Sequence, residues 1–284
     1  MIKSIIKNAV SNEAWADLSA KKRHLHSLFK HSKLDANLKN ENKIVIIGVA
    51  DYDNLGDHAI AQAQRAFVEE LIGKHSGYKI VEITVSTDVW HINKIINNND
   101  IILFTGGGNL GTKYGYLHDI YIPIIKNHPN NKKLFFPQSF TFNEEGDSDK
   151  LMNKIKSVFN VSGKNLTITA RESKSERLFK DTFPQNNVIM TPDIVLSLNL
   201  RSKSNEITHK SNDITLMMRS DLEKTMDIEL EKMLISKLES KFSINNTDTV
   251  TSYEITPENR LKELNKKWDE IKQSKVVITD RLHG

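Results

Sequence analysis

Residues Lys43-Ile44-Val45-Ile46-Ile47-Gly48-Val49-Ala50-Asp51-Tyr52-Asp53-Asn54-Leu55-Gly56-Asp57-His58-Ala59-Ile60 decide the fold. The first eight form a nearly continuous β-branched run, which suits a strand buried on both faces of a parallel sheet. A turn containing glycine follows, and then an amphipathic segment over 58–73. The unit therefore reads as strand, turn, helix. The alternation recurs downstream. Apolar runs at 79–85, 100–105, 133–137 and 166–170 are separated by amphipathic stretches near 116–127, 148–160 and 173–182, and 187–190 reads as a sixth strand. Strands alternating with helices predict an α/β lobe with a parallel sheet, spanning 43–200.

Residues 201–212 are polar and without period, as in a linker. The alternation then restarts, with strands expected at 213–218, 247–253 and 275–279 and helices near 223–240 and 257–273. This predicts a second Rossmann-like lobe over 213–284. The chain ends after a strand, where a covering helix should begin, so this lobe reads as incomplete and truncated at its C-terminus. Ahead of both lobes, 1–42 reads as a helical segment. Ile2, Ile5, Ile6, Val10 and Trp15 could share one helix face, and 21–31 is basic. Such a segment either packs on the domain edge or touches a membrane surface.

Composition narrows the function classes. The 284 residues are 38% hydrophobic and 27% charged, with no cysteine, which excludes disulfides and thiolate chemistry. No apolar run reaches the ~18 residues of a spanning helix, and no signal-peptide core is present. The expected location is the cytoplasm, with the inner face of the membrane allowed. A net charge of +4 suits a protein that handles small anions, and it is too mild to argue for nucleic acid.

The candidate chemistry lies at strand ends, where open α/β sheets bind ligands. Asn54, Gly56, Asp57 and His58 open the first helix, where free backbone N–H groups could hold an anion, although Asp57 could serve only as a cap. Gly106, Gly107, Gly108 and Asn109 follow the third strand and permit close backbone approach to a ligand. The tract lacks the Lys-Ser/Thr of a phosphate-binding P-loop and the spacing of a dinucleotide fingerprint. Gln138 follows the next strand in Pro137-Gln138-Ser139. Arg171 follows the one after in Ala170-Arg171-Glu172 and could clamp a carboxylate or phosphate, or pair with Glu172. Asp193 could cap a short helix or reach a cleft. In the second lobe Arg219 ends one strand, while Arg281 and His283 end another. An imidazole beside a guanidinium offers proton transfer together with anion binding.

In this order and placement, Asp53-Asn54-Leu55-Gly56-Asp57-His58-Ala59-Ile60, Gly106-Gly107-Gly108-Asn109-Leu110, Pro137-Gln138-Ser139, Ala170-Arg171-Glu172, Pro192-Asp193 and Arg281-Leu282-His283-Gly284 resemble the polysaccharide pyruvyl transferase family, in its exopolysaccharide-biosynthesis branch. The resemblance covers residues 43–284. It implies a GT-B-like pair of lobes and transfer of the pyruvyl group of phosphoenolpyruvate to a sugar or lipid-linked oligosaccharide, with a ketal formed and phosphate released. It implies no metal and no cofactor beyond the donor substrate, and it carries catalytic roles onto Arg171, Arg281 and His283. Two other readings remain open: a glycosyltransferase using a nucleotide-sugar donor, and a non-catalytic binding module on the same scaffold.

Overall fold

The apolar runs do become strands. In the computed structural model, described over residues 36–73, 77–111, 117–141, 148–198, 211–219, 224 and 226–283, the first sheet holds seven strands. They are β1 (Lys43–Val49), β2 (Lys79–Thr84), β3 (Ile101–Phe104), β4 (Gly107–Gly111), β5 (Lys133–Thr141), β6 (Leu166–Ala170) and β7 (Asn187–Met190). The order is β2-β1-β3-β5-β6-β7, with β4 on β5, and every pairing is parallel. Helices α1 (Leu55–Ile72), α2 (Val89–Ile95), α3 (His118–Asn127), α4 (Ser148–Ser162) and α5 (Ser173–Thr182) occupy the crossovers. All seven residues of β1 are buried, as a strand covered on both faces requires. An aromatic seam fills part of the core: Phe104 stacks on Phe135 at 4.4 Å between centroids, and Phe159 lies 4.9 Å from Phe183.

The expected α/β class holds, and the differences are local. Strand β4 runs through the glycine tract, where no strand was expected because glycine carries no β-propensity. Helix α2 also escaped that reading, being only seven residues long. The expectations for 1–35 and for the linker over 201–210 lie outside the described residues; 36–40 form a short 3-10 helix.

The second sheet has three parallel strands, β8 (Asn212–Met217), β9 (Ile244–Asn246) and β10 (Ser274–Thr279), in the order β10-β8-β9. Helices α6 (Ile228–Glu239) and α7 (Arg260–Lys272) belong to it. The strand expected over 247–253 is replaced by β9 and an irregular stretch. Thr249 accepts from the Leu55 amide at 2.8 Å, the Thr251 amide donates to Asp53 at 2.8 Å, and Asn54 and Val250 form an antiparallel bridge. With Arg260 Nε donating to Gln62 Oε1 at 3.2 Å, these bonds group residues 50–62 with the second compact unit. The sequence reading had placed that segment in the first lobe. Backbone pairing between distant segments decides the grouping, and no local pattern records it.

The two ends of the first sheet differ in chemistry. At the strand starts, Lys43 Nζ meets Asp100 Oδ2 at 2.6 Å with both side chains wholly buried, and Asp100 also accepts from the amides of Lys43 and Asn97. Lys133 Nζ donates to the carbonyls of His128, Pro129 and Asn131, and burial lowers its pKa to about 8. These lysines satisfy loop and helix-end carbonyls and have a structural role. Replacing Lys43 with methionine strands the Asp100 carboxylate in the core, so unfolding in urea should show a loss of about 3–5 kcal/mol. The Lys43→Met/Asp100→Asn pair should lose less, because no unpaired charge remains. The strand ends at the other edge carry the candidate site.

Candidate active site

At the carboxyl edge of the first sheet, a network of buried amides holds the glycine tract. Gln138 is wholly buried and donates through Nε2 to the Thr105 carbonyl, while its Oε1 accepts from the Asn109 amide at 3.1 Å. Asn109 Nδ2 donates to the Gly106 carbonyl at 2.8 Å, and Thr105 Oγ1 donates to Gln64 Oε1 at 3.1 Å. Gln138 was expected to bind substrate, but both ends of its amide are occupied by the loop, so it acts as a strut.

The three glycines are required for three reasons. A Cβ on Gly106 would come within 2.9 Å of the Pro137 carbonyl oxygen. Gly107 has φ +118°, a conformation that L side chains rarely adopt. Gly108 opens toward Arg171, whose Nη2 is the nearest atom to a hypothetical Cβ, at 3.9 Å.

Arg171 begins the turn after β6, anchored by its amide on the Gln138 carbonyl. Its Nε donates to Ser139 Oγ at 2.7 Å and its Nη1 to Asp193 Oδ2 at 2.8 Å. Ser139 Oγ donates on to Glu172 Oε2 at 2.9 Å, and Ser175 Oγ donates to Glu172 Oε1. Asp193 Oδ1 also caps the following short helix at the Val195 amide. Arg171 therefore pairs chiefly with Asp193, and Glu172 stands off at 3.9 Å. Among the described residues, Nη2 has no hydrogen-bond partner. The guanidinium is fixed on two sides, with one edge remaining beside Gly108.

In the second unit the loop before α1 is self-satisfied. Asn54 Oδ1 accepts from the Gly56 amide at 3.0 Å, and Leu55 gives its amide to Thr249. The free N–H groups expected at this helix start are thus largely committed. Asp57 Oδ2 accepts from Asn54 Nδ2 at 2.8 Å and from the Tyr52 hydroxyl at 3.0 Å. His58 is wholly buried with Nε2 2.8 Å from the Tyr52 carbonyl oxygen, which places its proton on Nε2. It braces the loop.

The residues after β10 divide in role. Arg281 forms a fork with Asp248, Nε to Oδ1 and Nη2 to Oδ2 both at 2.8 Å, and only 5% of its side chain is exposed. Such a pair fixes the turn and is not an open anion clamp. Asp248 lies in the stretch read as a strand, and nothing in its local sequence marks it as the partner. Arg219 gives its amide to Asp280 Oδ1 at 2.7 Å. His283 is partly exposed and lies against the first turn of α1, with Nδ1 3.4 Å from the position of a Cβ on Gly56. The structure thus gathers Gly106, Gly107, Gly108, Asn109, Gln138 and Arg171 in the first unit. It gathers Asn54, Gly56, Asp57, His58, Arg219, Arg281 and His283 in the second.

The family model for polysaccharide pyruvyl transferases matches residues 54–284, which takes in both groups. The chain belongs to that family. The chain is 32% identical over 252 residues to general stress protein 30 of Bacillus subtilis, covering 88% of the chain and 72% of that relative. It is 27% identical over 189 residues to pyruvyl transferase 1 of Schizosaccharomyces pombe, covering 64% of the chain and 45% of the yeast protein. In fold it is similar to the crystal structure of KP1_0663 from Klebsiella pneumoniae, a functionally uncharacterised protein, with a TM-score of 0.52 at 20% identity over 96% of this chain and 84% of that one. The protein is a transferase. Among its described residues, no helix is long and apolar enough to cross a membrane.

Two buried histidines tie the stability of the protein to pH. Burial lowers the pKa of both His58 and His118 from the ordinary 6.5. His118 Nε2 lies 2.8 Å from the Gly111 carbonyl oxygen, so it too is held neutral. The unfolded chain therefore binds more protons than the native one once the pH drops below about 6.5, and the contribution to stability, complete above that value, is lost as the pH falls. Urea midpoints should be flat near pH 7.5 and decline between about pH 6.5 and 5, a window in which ordinary carboxylates stay ionised.

Proposed function

We propose that the transferred pyruvyl group comes from phosphoenolpyruvate and goes to two hydroxyls of one sugar in a surface or exopolysaccharide precursor, free or lipid-linked. No cofactor is used. The observation that carries this reading is the Arg171 guanidinium, held by Asp193 and Ser139 with Nη2 uncommitted beside a glycine that lets a ligand approach.

Chemically, the enol methylene carbon takes a proton and becomes a methyl group. One sugar hydroxyl adds to the former enol carbon and loses its proton. The carbon–oxygen bond to phosphate then breaks, phosphate leaves, and the second hydroxyl adds with loss of its proton to close a cyclic ketal. One proton is gained at carbon, two are released by the hydroxyls, and the balance leaves on phosphate. Arg171 contributes an oxyanion contact to the donor. His283 is the proton-transfer group, suited to this by its partial exposure and its seat against Gly56.

Phosphorus NMR on the purified protein, given phosphoenolpyruvate and UDP-glucose together with a panel of nitrophenyl and polyprenyl glycosides, tests this reading. Inorganic phosphate should appear at the expense of phosphoenolpyruvate, with the nucleotide sugar intact. Release of nucleotide with phosphoenolpyruvate unconsumed would replace the reading with glycosyl transfer.

A further inference from the structure

We infer that Trp90, flanked by Asp88 and Lys94, is a saccharide-binding platform on the outer face of α2 that takes a pyranose ring of a polysaccharide chain. The inference rests on membership of the polysaccharide pyruvyl transferase family and is independent of which donor supplies the pyruvyl group.

Ile92 and Ile95 are buried and turn one face of α2 to the core. Trp90 and Lys94, one helical turn apart, therefore stand on the opposite face. Among the described residues from 77 to 111, Trp90 is the one large apolar side chain left exposed, at 59%. It is exposed and yet held in place. Its amide donates to Asp88 Oδ1 at 2.8 Å, and the Lys94 ammonium lies 3.2 Å from the centroid of the ring. The His91 imidazole stands across it, 4.9 Å between centroids and 84° between planes. Lys94 closes one face of the indole. A ring closed on both faces could not leave 59% of the residue in solvent, so the other face is open.

A pyranose suits such a surface. One side of the sugar ring presents C–H groups, which lie flat against the negative face of an aromatic ring, while the hydroxyls project from the rim. The Asp88 carboxylate and the Lys94 ammonium, on either side of the indole, offer an acceptor and a donor to those hydroxyls. A ring fixed in advance loses little freedom when the sugar arrives. A lipid surface suits it less well. Immersing the indole would drag the Asp88 carboxylate toward hydrocarbon, and no second large apolar side chain is exposed on α2 to share the insertion. The location also fits a polymeric ligand. Helix α2 leaves the carboxyl end of β2, and the strands are parallel, so Trp90 in its first turn lies toward the edge that carries the glycine tract. The platform holds sugars other than the one that receives the pyruvyl group.

Affinity electrophoresis of the full chain through gels containing dextran, galactan or mannan, with no phosphoenolpyruvate present, tests this in the wild type and in Trp90→Ala and Trp90→Phe proteins. At least one polymer should retard the wild type, and Trp90→Ala should bind that polymer about tenfold more weakly. Trp90→Phe keeps an aromatic face and should retain most of the affinity. Both variants should melt like wild type, because the side chain lies mostly in solvent. A hexasaccharide from the retarding polymer should shift the tryptophan fluorescence of the wild type but not that of Trp90→Phe. Equal retardation of wild type and Trp90→Ala would overturn the inference, as would a fluorescence shift that persists in Trp90→Phe. Retardation of the wild type by none of the three polymers would also overturn it. Trp90-dependent sedimentation with phosphatidylglycerol vesicles, without retardation by any polymer, would assign the face to a membrane instead.

Discussion

Replacing His283 with alanine lowers turnover by about 10²–10⁴-fold, the range expected when a positioned general acid or base is removed. Thermal stability should hardly move, since the side chain is partly exposed. The imidazole lies on the first turn of α1, and its Nδ1 is 3.4 Å from the position a Cβ on Gly56 would take. Gly56→Val should therefore displace the ring and reproduce much of the His283→Ala defect, although it leaves every titratable group in place. Steady-state rates and melting curves on the two variants check both statements. A His283→Ala protein with wild-type turnover would remove the residue from the chemistry.

The second large effect falls on Arg171. Its truncation to methionine removes the uncommitted Nη2 edge and should cost about 2–4 kcal/mol of transition-state stabilisation, by analogy with the loss of one preorganised donor. That corresponds to a drop in kcat/KM of roughly 30- to 1000-fold. Lysine should not restore activity. Its single ammonium cannot bond Ser139, bond Asp193 and still present a fixed edge beside Gly108. Arg281 provides a contrast, because its fork with Asp248 makes it part of the scaffold. Arg281→Lys should therefore show itself first as lost stability.

The sequence conveyed the fold well for a physical reason. The β-branched run from Lys43 to Val49 has few ways to bury itself other than in a covered parallel sheet, and the amphipathic segments after it supply the cover. The placement of Gly106 to Asn109, Arg171 and His283 at strand ends was legible for the same reason, since a strand's end is readable from where its apolar run stops. Partnership was not legible. Gln138 and His58 have the residue types of ligand contacts, yet each is buried and bonded to backbone carbonyls far along the chain or across a turn. Thr247 to Tyr253 has the β-branched character of a strand, but its backbone pairs with residues near Asp53. Asp248 carries no local signal for its fork with Arg281. Hydrogen-bond pairing between segments nearly two hundred residues apart leaves no imprint on periodicity.

The measurement closest to the central claim is the mass of the acceptor after incubation with the protein and phosphoenolpyruvate labelled with carbon-13 in its three carbons. Transfer predicts a saccharide heavier by one labelled pyruvyl group, formed in step with inorganic phosphate and absent with the His283→Ala protein. A saccharide of unchanged mass while phosphoenolpyruvate is consumed, or one heavier by a hexose in the presence of a nucleotide sugar, would contradict it.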